Sequence, residues 1–280
     1  MKTPYRWKHG APRTVFITGG SSGIGRDMAL RLAGQGASIA LFNRSGADAV
    51  LQELQAVARH PEQRFAAYRA DVAQARSIDD AVREAVLALG APDLAINSAG
   101  VINAQPFDQV SSHAFDRVID INLKGSRNLA AAVLPHMQRG SHLVFVASLA
   151  GLTGNFAYTA YCASKYGVRG LAEALRYELK FKGIDVSLCC PGEIMTPMVE
   201  EEIRHQHPVS AALKAFAGSA RLDDAVPALL RGIARRRFEI VNGVRPVLTA
   251  LLSRHTPRLL RLVGDRIATH AARRAAQSGR

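Results

Sequence analysis

The chain has 280 residues, 48% hydrophobic and 21% charged, which is typical of one large globular domain and excludes a disordered or fibrous protein. No apolar run approaches the ~20 residues that cross a bilayer, and the basic start, residues 1–8, is followed by no secretory-signal stretch. The net charge of +13 is concentrated at the ends, where residues 231–280 alone hold twelve Arg and two acids, so the near-neutral body disfavours nucleic-acid binding.

Short apolar runs alternate along the chain with longer stretches of helical spacing. Strands are predicted at 14–18, 38–42, 65–70, 94–96, 143–147 and 186–190. Helices are predicted at about 23–35, 46–59, 75–89, 112–137, 158–182 and 222–235. Continuous apolar strands separated by helices indicate a parallel sheet covered on both faces. We therefore predict an α/β fold, a doubly wound parallel sheet in a three-layer αβα sandwich.

A glycine-rich turn joins the first predicted strand to the first helix. It reads Thr18-Gly19-Gly20-Ser21-Ser22-Gly23-Ile24-Gly25. Glycines at such a junction let backbone N–H groups approach a pyrophosphate at the helix N-terminus. Because the turn follows the first strand of an alternating α/β pattern, it favours a dinucleotide site over a flexible loop.

The spacing of this turn, Thr-Gly-x-x-x-Gly-x-Gly, resembles that of the short-chain dehydrogenase/reductase superfamily. Further family-like positions follow in order over about 14–200: Asp71-Val72, Asn97-Ser98-Ala99-Gly100, Asn122, Ser148, the Tyr161-x-x-x-Lys165 pair and Pro191-Gly192. Ser98 departs from the family pattern, which has Asn there. The resemblance implies a Rossmann-type fold, a nicotinamide cofactor and a catalytic set of Asn122, Ser148, Tyr161 and Lys165.

The chemistry of Tyr161 and Lys165 follows from their spacing. Positions i and i+4 of a helix share one face, so the phenol and the ammonium lie together. A positive neighbour favours the phenolate, and we expect the ammonium, together with the positive charge of an oxidised nicotinamide, to lower the pKa of Tyr161. Reduction of a carbonyl needs a proton donor, and Tyr161 is the candidate. By resemblance, Ser148 orients the substrate oxygen, Lys165 holds the nicotinamide ribose and Asn122 positions a relay water.

The choice of cofactor depends on the end of the second strand. An acid about 20 residues past the glycines would bind the ribose of NAD, but the strand ends Phe42-Asn43-Arg44-Ser45. A guanidinium suits a phosphate, so we predict NADP(H). The predicted cofactor-binding residues are Gly19, Ser21, Ser22, Gly23, Ile24, Gly25, Asn43, Arg44, Ser45, Asp71, Val72, Asn97, Ala99, Gly100, Tyr161, Lys165, Pro191, Gly192, Ile194 and Thr196.

The segments after Ser148 and Pro191 are mostly apolar and carry no Lys or Arg placed to hold an anionic substrate. They supply the predicted substrate residues Leu149, Leu152, Phe156, Met195 and Met198. Residues 161–202 resemble the 3-ketodihydrosphingosine reductases, which implies a lipid-like ketone such as 3-ketosphinganine, although the membrane segments of the eukaryotic members are missing. Steroid, retinoid or other alcohols, and a catalytically silent NADP-binding regulator, stay open as alternatives. Glu200–Glu202 is predicted to be the solvent-exposed start of a helix. No metal site is predicted.

Composition and these motifs divide the chain into three segments. We predict a basic arm at 1–13, one catalytic domain at 14–245 with a substrate lid at about 193–220, and a basic amphipathic extension at 246–280. Apolar stripes in the extension suit either a helix on an anionic bilayer or a helix packed on the protein, with 269–280 expected to fray.

Three cysteines are typical of a reducing cytoplasm, with contact at the inner membrane surface as an option. The family resemblance implies a homodimer or homotetramer.

Overall fold

The computed structural model of the protein describes residues 5–278, and its strands follow the predicted order. They are β1 (Thr14–Thr18), β2 (Ser38–Asn43), β3 (Phe65–Arg69), β4 (Leu94–Asn97), β5 (His142–Val146), β6 (Asp185–Cys189), β7 (Glu193–Ile194), β8 (Ser219–Ala220) and β9 (Glu239–Ile240). Seven of them form a parallel sheet in the order β3-β2-β1-β4-β5-β6-β9, and β7 pairs with β8. The two-residue strands β7, β8 and β9 are too short to leave a readable pattern in the sequence.

The helices cover both faces of this sheet. They are α1 (Gly23–Ala33), α2 (Asp48–Ala56), α3 (Ala75–Leu89), α4 (Ser112–Ile119), α5 (Gly125–Val133), α6 (Thr159–Lys180), α7 (Pro197–Ile203), α8 (Pro208–Ala217), α9 (Leu222–Ala234), α10 (Val244–His255) and α11 (Pro257–Ser278). Successive residues of β1 point to opposite faces. Phe16 packs in the core beneath α3, α5 and α6, and Val15 and Ile17 pack in the core beneath α1, α2 and α9. The predicted three-layer αβα sandwich is confirmed.

The helix predicted at 112–137 is interrupted. After α4, the π-helical turn Asp120–Lys124 widens the helix for five residues before α5 continues to Val133. Such a turn inserts one extra residue into the helical ladder, and π turns are frequent at functional sites. Hydrophobic periodicity does not reveal this change, because the turn continues the run of helical residues.

The two ends of the described chain pack against the sandwich. The indole N–H of Trp7 donates to the Gln35 side chain at 3.1 Å, and the backbone N–H of Lys8 donates to Ala234 at 3.0 Å. At the other end, α11 packs on α8 and α10. The expectation that 269–280 frays is wrong over the described part, because α11 continues to Ser278; residues 1–4 and 279–280 of the predicted arm and extension lie outside the described residues. No helix between residues 5 and 278 is long and apolar enough to cross a bilayer.

Candidate active site

A large cavity of about 1040 Å³ opens at the carboxyl ends of the central strands. Its walls come from the turn after β1, the segments after β4, β5 and β6, and helices α6, α7, α8, α10 and α11. In parallel α/β sheets, ligands bind at this edge. The cavity is lined by these predicted site residues: Gly19, Ser22, Gly23, Ile24, Ala99, Gly100, Ser148, Leu149, Leu152, Phe156, Tyr161, Lys165, Pro191, Gly192, Ile194, Thr196 and Met198.

The glycines of the first turn are required by close backbone packing. Gly19 and Gly23 have φ values of +67° and +54°, a region that L side chains rarely adopt. A Cβ on Gly19 would lie 2.7 Å from the Cα of Ala99, and one on Gly25 would lie 2.4 Å from the carbonyl oxygen of Gly19. The turn therefore holds the N-terminus of α1 against the sheet, where its backbone N–H groups can meet an anion.

Eight predicted cofactor residues lie outside the lining of the cavity. They are Ser21, Gly25, Asn43, Arg44, Ser45, Asp71, Val72 and Asn97. Asn43 is buried at the end of β2, and its Oδ1 accepts the N–H of Ser21 at 3.2 Å. Its Nδ2 is also buried and donates to no group of the described chain, while Arg44 beside it is exposed. A buried donor and an exposed arginine thus follow each other in the chain at the end of β2.

Ser148, Tyr161 and Lys165 converge at the end of β5. Ser148 follows the strand and accepts the N–H of Ala150 at 3.1 Å. Tyr161 and Lys165 lie one turn apart near the start of α6, and the Lys165 Nζ is 5.5 Å from the centre of the Tyr161 ring. This ammonium donates to the carbonyl of Val146 at 3.0 Å, which fixes it at the floor of the cavity.

The protonation of the pair follows from burial. Burial raises the pKa of Tyr161 to about 12, and a hydrogen bond with Ser148 opposes that rise. Burial lowers the pKa of Lys165 to about 8. Among the protein's own groups, desolvation therefore outweighs the effect of the ammonium on the pKa of the phenol, and Nζ is directed at the carbonyl of Val146. Tyr161 carries its proton throughout the neutral range.

Asn122 lies in the π-helical turn and is buried. Its Oδ1 accepts the N–H of Val101 at 2.8 Å, and its Nδ2 donates to the carbonyl of Val101 and to the hydroxyl of Ser164, each at 3.0 Å. A Cβ on Gly100 would lie 3.3 Å from the Asn122 Oδ1 and 3.6 Å from the Lys165 Nζ. Asn122 thus ties the segment after β4 to the helix that carries the catalytic pair.

A second buried amide braces the strands beneath the site. The Asn97 Oδ1 accepts the hydroxyl of Thr18 at 2.9 Å, and its Nδ2 donates to Ser126. The Thr18 hydroxyl also accepts the N–H of Ala99 at 3.3 Å. Ser98, the departure from the family pattern, lines the cavity and leaves this brace intact.

The substrate end of the cavity is more polar than the sequence predicts. Glu202 is not a solvated helix residue: its side chain is 5% exposed, accepts the phenol of Tyr158 and binds the Lys214 Nζ at 3.0 Å. Lys214 also forms an ion pair with Glu193, so the wall does contain a lysine. Met195, a predicted substrate residue, lies outside the lining of this cavity: its backbone N–H donates to the carbonyl of Ala220, and its side chain is exposed.

These residues were missed because they are far apart in sequence. Glu193, Glu202 and Lys214 belong to β7, α7 and α8, and no spacing rule connects them. One signal was available: Lys214 is the one charged residue in Pro208–Ala217, where Ser210 is the one other polar residue. A lone charge in an apolar helix indicates a buried partner. The inner face of α11 was also missed, where Leu260, Val263 and Ile267 line the cavity.

The groups at the sheet edge fit a dinucleotide. The glycine turn leaves no room for side chains between α1 and the end of β4, the first turn of α1 contains no acid, and the Asn43 Nδ2 is an unpaired buried donor. Ser148, Tyr161 and Lys165 lie where the reactive end would meet the cavity. Fold and site together define a nicotinamide-dependent oxidoreductase that acts on C=O or CH–OH groups.

Comparison with known proteins gives the family. The family model described as short chain dehydrogenase matches residues 13–207, and the chain belongs to that family. It is 33% identical over 242 residues to a 3-dehydrosphinganine reductase of Arabidopsis thaliana, covering 85% of this chain and 70% of the relative. It is 36% identical over 194 residues to the 3-ketodihydrosphingosine reductase of Mus musculus, covering 67% of this chain and 58% of the relative.

Solved structures agree with the fold. A short chain dehydrogenase from Mycobacterium paratuberculosis, crystallised with NAD, superposes with a TM-score of 0.73 at 27% identity, covering 82% of this chain and 95% of that one. The chain spans 58% of the length of the mouse relative, so part of that relative has no counterpart in the alignment.

Proposed function

We propose that the protein is an NADPH-dependent reductase of a lipid ketone of the 3-ketodihydrosphingosine type, which it converts to the secondary alcohol. The observation that carries the proposal is the continuity of one cavity from Ser148 and Tyr161 to the apolar side chains of α8 and α11. The names of the relatives, 3-dehydrosphinganine and 3-ketodihydrosphingosine reductase, support this substrate class.

The residues divide the chemistry between them. A bound nicotinamide supplies the hydride. The Ser148 hydroxyl and the Tyr161 phenol hold the carbonyl oxygen, and Tyr161 donates its proton to the developing alkoxide. Lys165, at the floor of the cavity, and Asn122, behind it, position the relay water that returns a proton to Tyr161. Leu213, Leu260 and Val263 form the apolar wall along which an alkyl chain is held.

The substrate is tested by the consumption of NADPH with a panel of ketones. We expect the purified protein to reduce 3-ketodihydrosphingosine with the highest kcat/KM, above a steroid ketone, a retinal and a small diketone. The fall in NADPH absorbance gives the rate, and mass spectrometry identifies the alcohol. Preferential reduction of any other member of the panel would contradict the proposed substrate class.

We also propose that α10 and α11 rest on an anionic lipid surface. Their inner side lines the cavity, while the outer side exposes Leu248, Leu259 and Leu262. The exposed Arg258 and Arg266 lie on the same helix as two of these leucines. Apolar side chains interleaved with arginines suit a bilayer that carries negative headgroups. Association into a homodimer or homotetramer and residence in the cytoplasm remain predictions from the sequence.

Flotation with liposomes tests this surface. We expect the protein to float with vesicles that contain phosphatidylglycerol and to stay in the dense fraction with phosphatidylcholine alone. Leu259→Glu combined with Leu262→Glu is expected to lower the floated fraction about tenfold, because two charges then face the acyl boundary. Leu87→Glu, at an 88% exposed leucine of α3, is the matched control and should float like wild type. Equal flotation with both lipids would overturn the proposal.

A further inference from the structure

The polar cluster at the substrate end of the cavity has more negative than positive groups. Lys214 is the shared partner of two carboxylates, Glu193 and Glu202, and its Nζ lies 3.0 and 3.1 Å from the two oxygens of Glu202. All three side chains are largely buried, with exposures of 14%, 16% and 5% for Lys214, Glu193 and Glu202. Two carboxylates against one ammonium leave one negative charge without a cation. A buried charge of this kind is costly unless something compensates it.

The other buried carboxylate of the cavity wall is compensated. Glu239 is bound by two guanidiniums, that of Arg169 at 3.5 Å and that of Arg254 at 2.8 Å. The excess of negative charge is therefore local to the Glu193–Lys214–Glu202 cluster. The same cavity also contains the side-chain oxygen of Asn155, which is buried and accepts no hydrogen bond within the described chain. An unpaired acceptor and an excess of carboxylate in the same cavity favour a ligand that is both a cation and a hydrogen-bond donor.

The cluster lies next to the proton donor. Tyr158 donates to Glu202, and the rings of Tyr158 and Tyr161 are 6.0 Å apart in an edge-to-face arrangement. The charge of Glu202 is close enough to contribute to the raised pKa of Tyr161. A cation bound by Glu202 would therefore lie in the same part of the cavity as the carbonyl oxygen that Tyr161 protonates.

We infer that Glu202, with Glu193 and Tyr158, forms a subsite for a primary ammonium group on the carbon next to the reacting carbonyl. This inference rests on the proposed function and adds the substrate group that is recognised. An ammonium has three donors, and its charge would bring the cluster to two cations and two anions. Lys214 positions the two carboxylates, and with a substrate that has no amine the cluster keeps its one negative charge in excess.

The test compares two ketones that differ only in the amine. The substrates are 3-ketodihydrosphingosine and its analogue in which hydrogen replaces the 2-amino group. We expect Glu202→Gln to raise KM for the amino ketone by about 10- to 100-fold, because a charged hydrogen bond is lost, and to leave KM for the analogue within about twofold. Glu193→Gln should also raise KM for the amino ketone, to a smaller extent than Glu202→Gln does, and leave KM for the analogue within about twofold.

Controls separate recognition from folding. Glu201→Gln, one residue away on α7 with a 61% exposed side chain, is the matched variant and should alter neither KM. Glu202→Asp keeps the charge and should recover part of the preference for the amine. If Glu202→Gln raises KM for both ketones equally, the role of Glu202 is structural. The subsite is then rejected while the proposed function stands. If wild type reduces neither ketone, the proposed function fails, and this inference fails with it.

Discussion

Replacement of Tyr161 by Phe is expected to lower kcat for ketone reduction about 1,000-fold while the dissociation constant of NADPH stays within about threefold of wild type. The phenol lies beside Ser148, and burial keeps its pKa at about 12, so it is fully protonated at neutral pH and acts as a donor. Phenylalanine keeps the ring that packs against Tyr158 and removes only the O–H group. The loss therefore measures proton donation and not the shape of the cavity.

Two measurements make this expectation decisive. Single-turnover reduction followed by NADPH absorbance gives the chemical step, and fluorescence titration gives NADPH binding. Tyr158→Phe is the matched control, because Tyr158 is a phenol of the same cavity whose O–H is directed at Glu202. With the amine-free analogue as substrate, it should retain turnover within about tenfold of wild type. A Tyr161→Phe variant with turnover close to that of wild type would assign the proton donor to another group.

The residues needed for this chemistry could be predicted because they are fixed by local rules. The glycine turn, the four-residue spacing of Tyr161 and Lys165, and the apolar strands are each short patterns, and the structure bears out the strands to within one or two residues. Parallel strands end at one edge of a sheet, so the residues that follow them meet there. Ser148 and Tyr161 are brought together by this topology although 13 positions separate them in the chain.

The rest of the site could not be predicted because it depends on tertiary contacts. Asn122 owes its position to a π-helical turn that has no signature in the periodicity. Glu202 is the same residue type as its exposed neighbour Glu201, and its tertiary contacts with Tyr158 and Lys214 distinguish it. The pKa of Tyr161 shows the same limit: spacing identifies the neighbouring ammonium, but burial determines the direction of the shift.

Replacement of Arg44 by Asp is expected to lower the ratio of kcat/KM for NADPH to that for NADH about 100-fold. Arg44 is exposed just beyond the buried end of β2, next to the unpaired Nδ2 of Asn43. β3 ends in register at Arg69, which adds a second exposed guanidinium at this edge of the sheet. These three groups suit the extra phosphate on the adenosine ribose of NADPH.

The substitution acts in two directions. Aspartate at position 44 removes a planar donor that can bind a phosphate through two hydrogen bonds, and it adds a charge that repels the phosphate. The same carboxylate can accept hydrogen bonds from the ribose hydroxyls of NADH, so the rate with NADH should rise while the rate with NADPH falls. Steady-state kinetics with each cofactor at saturating ketone give both values.

The control must show that a change in the net charge of the protein does not by itself lower the ratio of kcat/KM for NADPH to that for NADH. Arg59→Asp alters the charge of the chain by the same amount at an exposed position after α2, and it should leave the ratio within about twofold of wild type. Arg69→Asp should shift the ratio less than Arg44→Asp does, because Arg69 lies one strand farther from the glycine turn. If Arg44→Asp leaves the ratio unchanged, the end of β2 does not select the phosphate, and the preference for NADPH has to be abandoned.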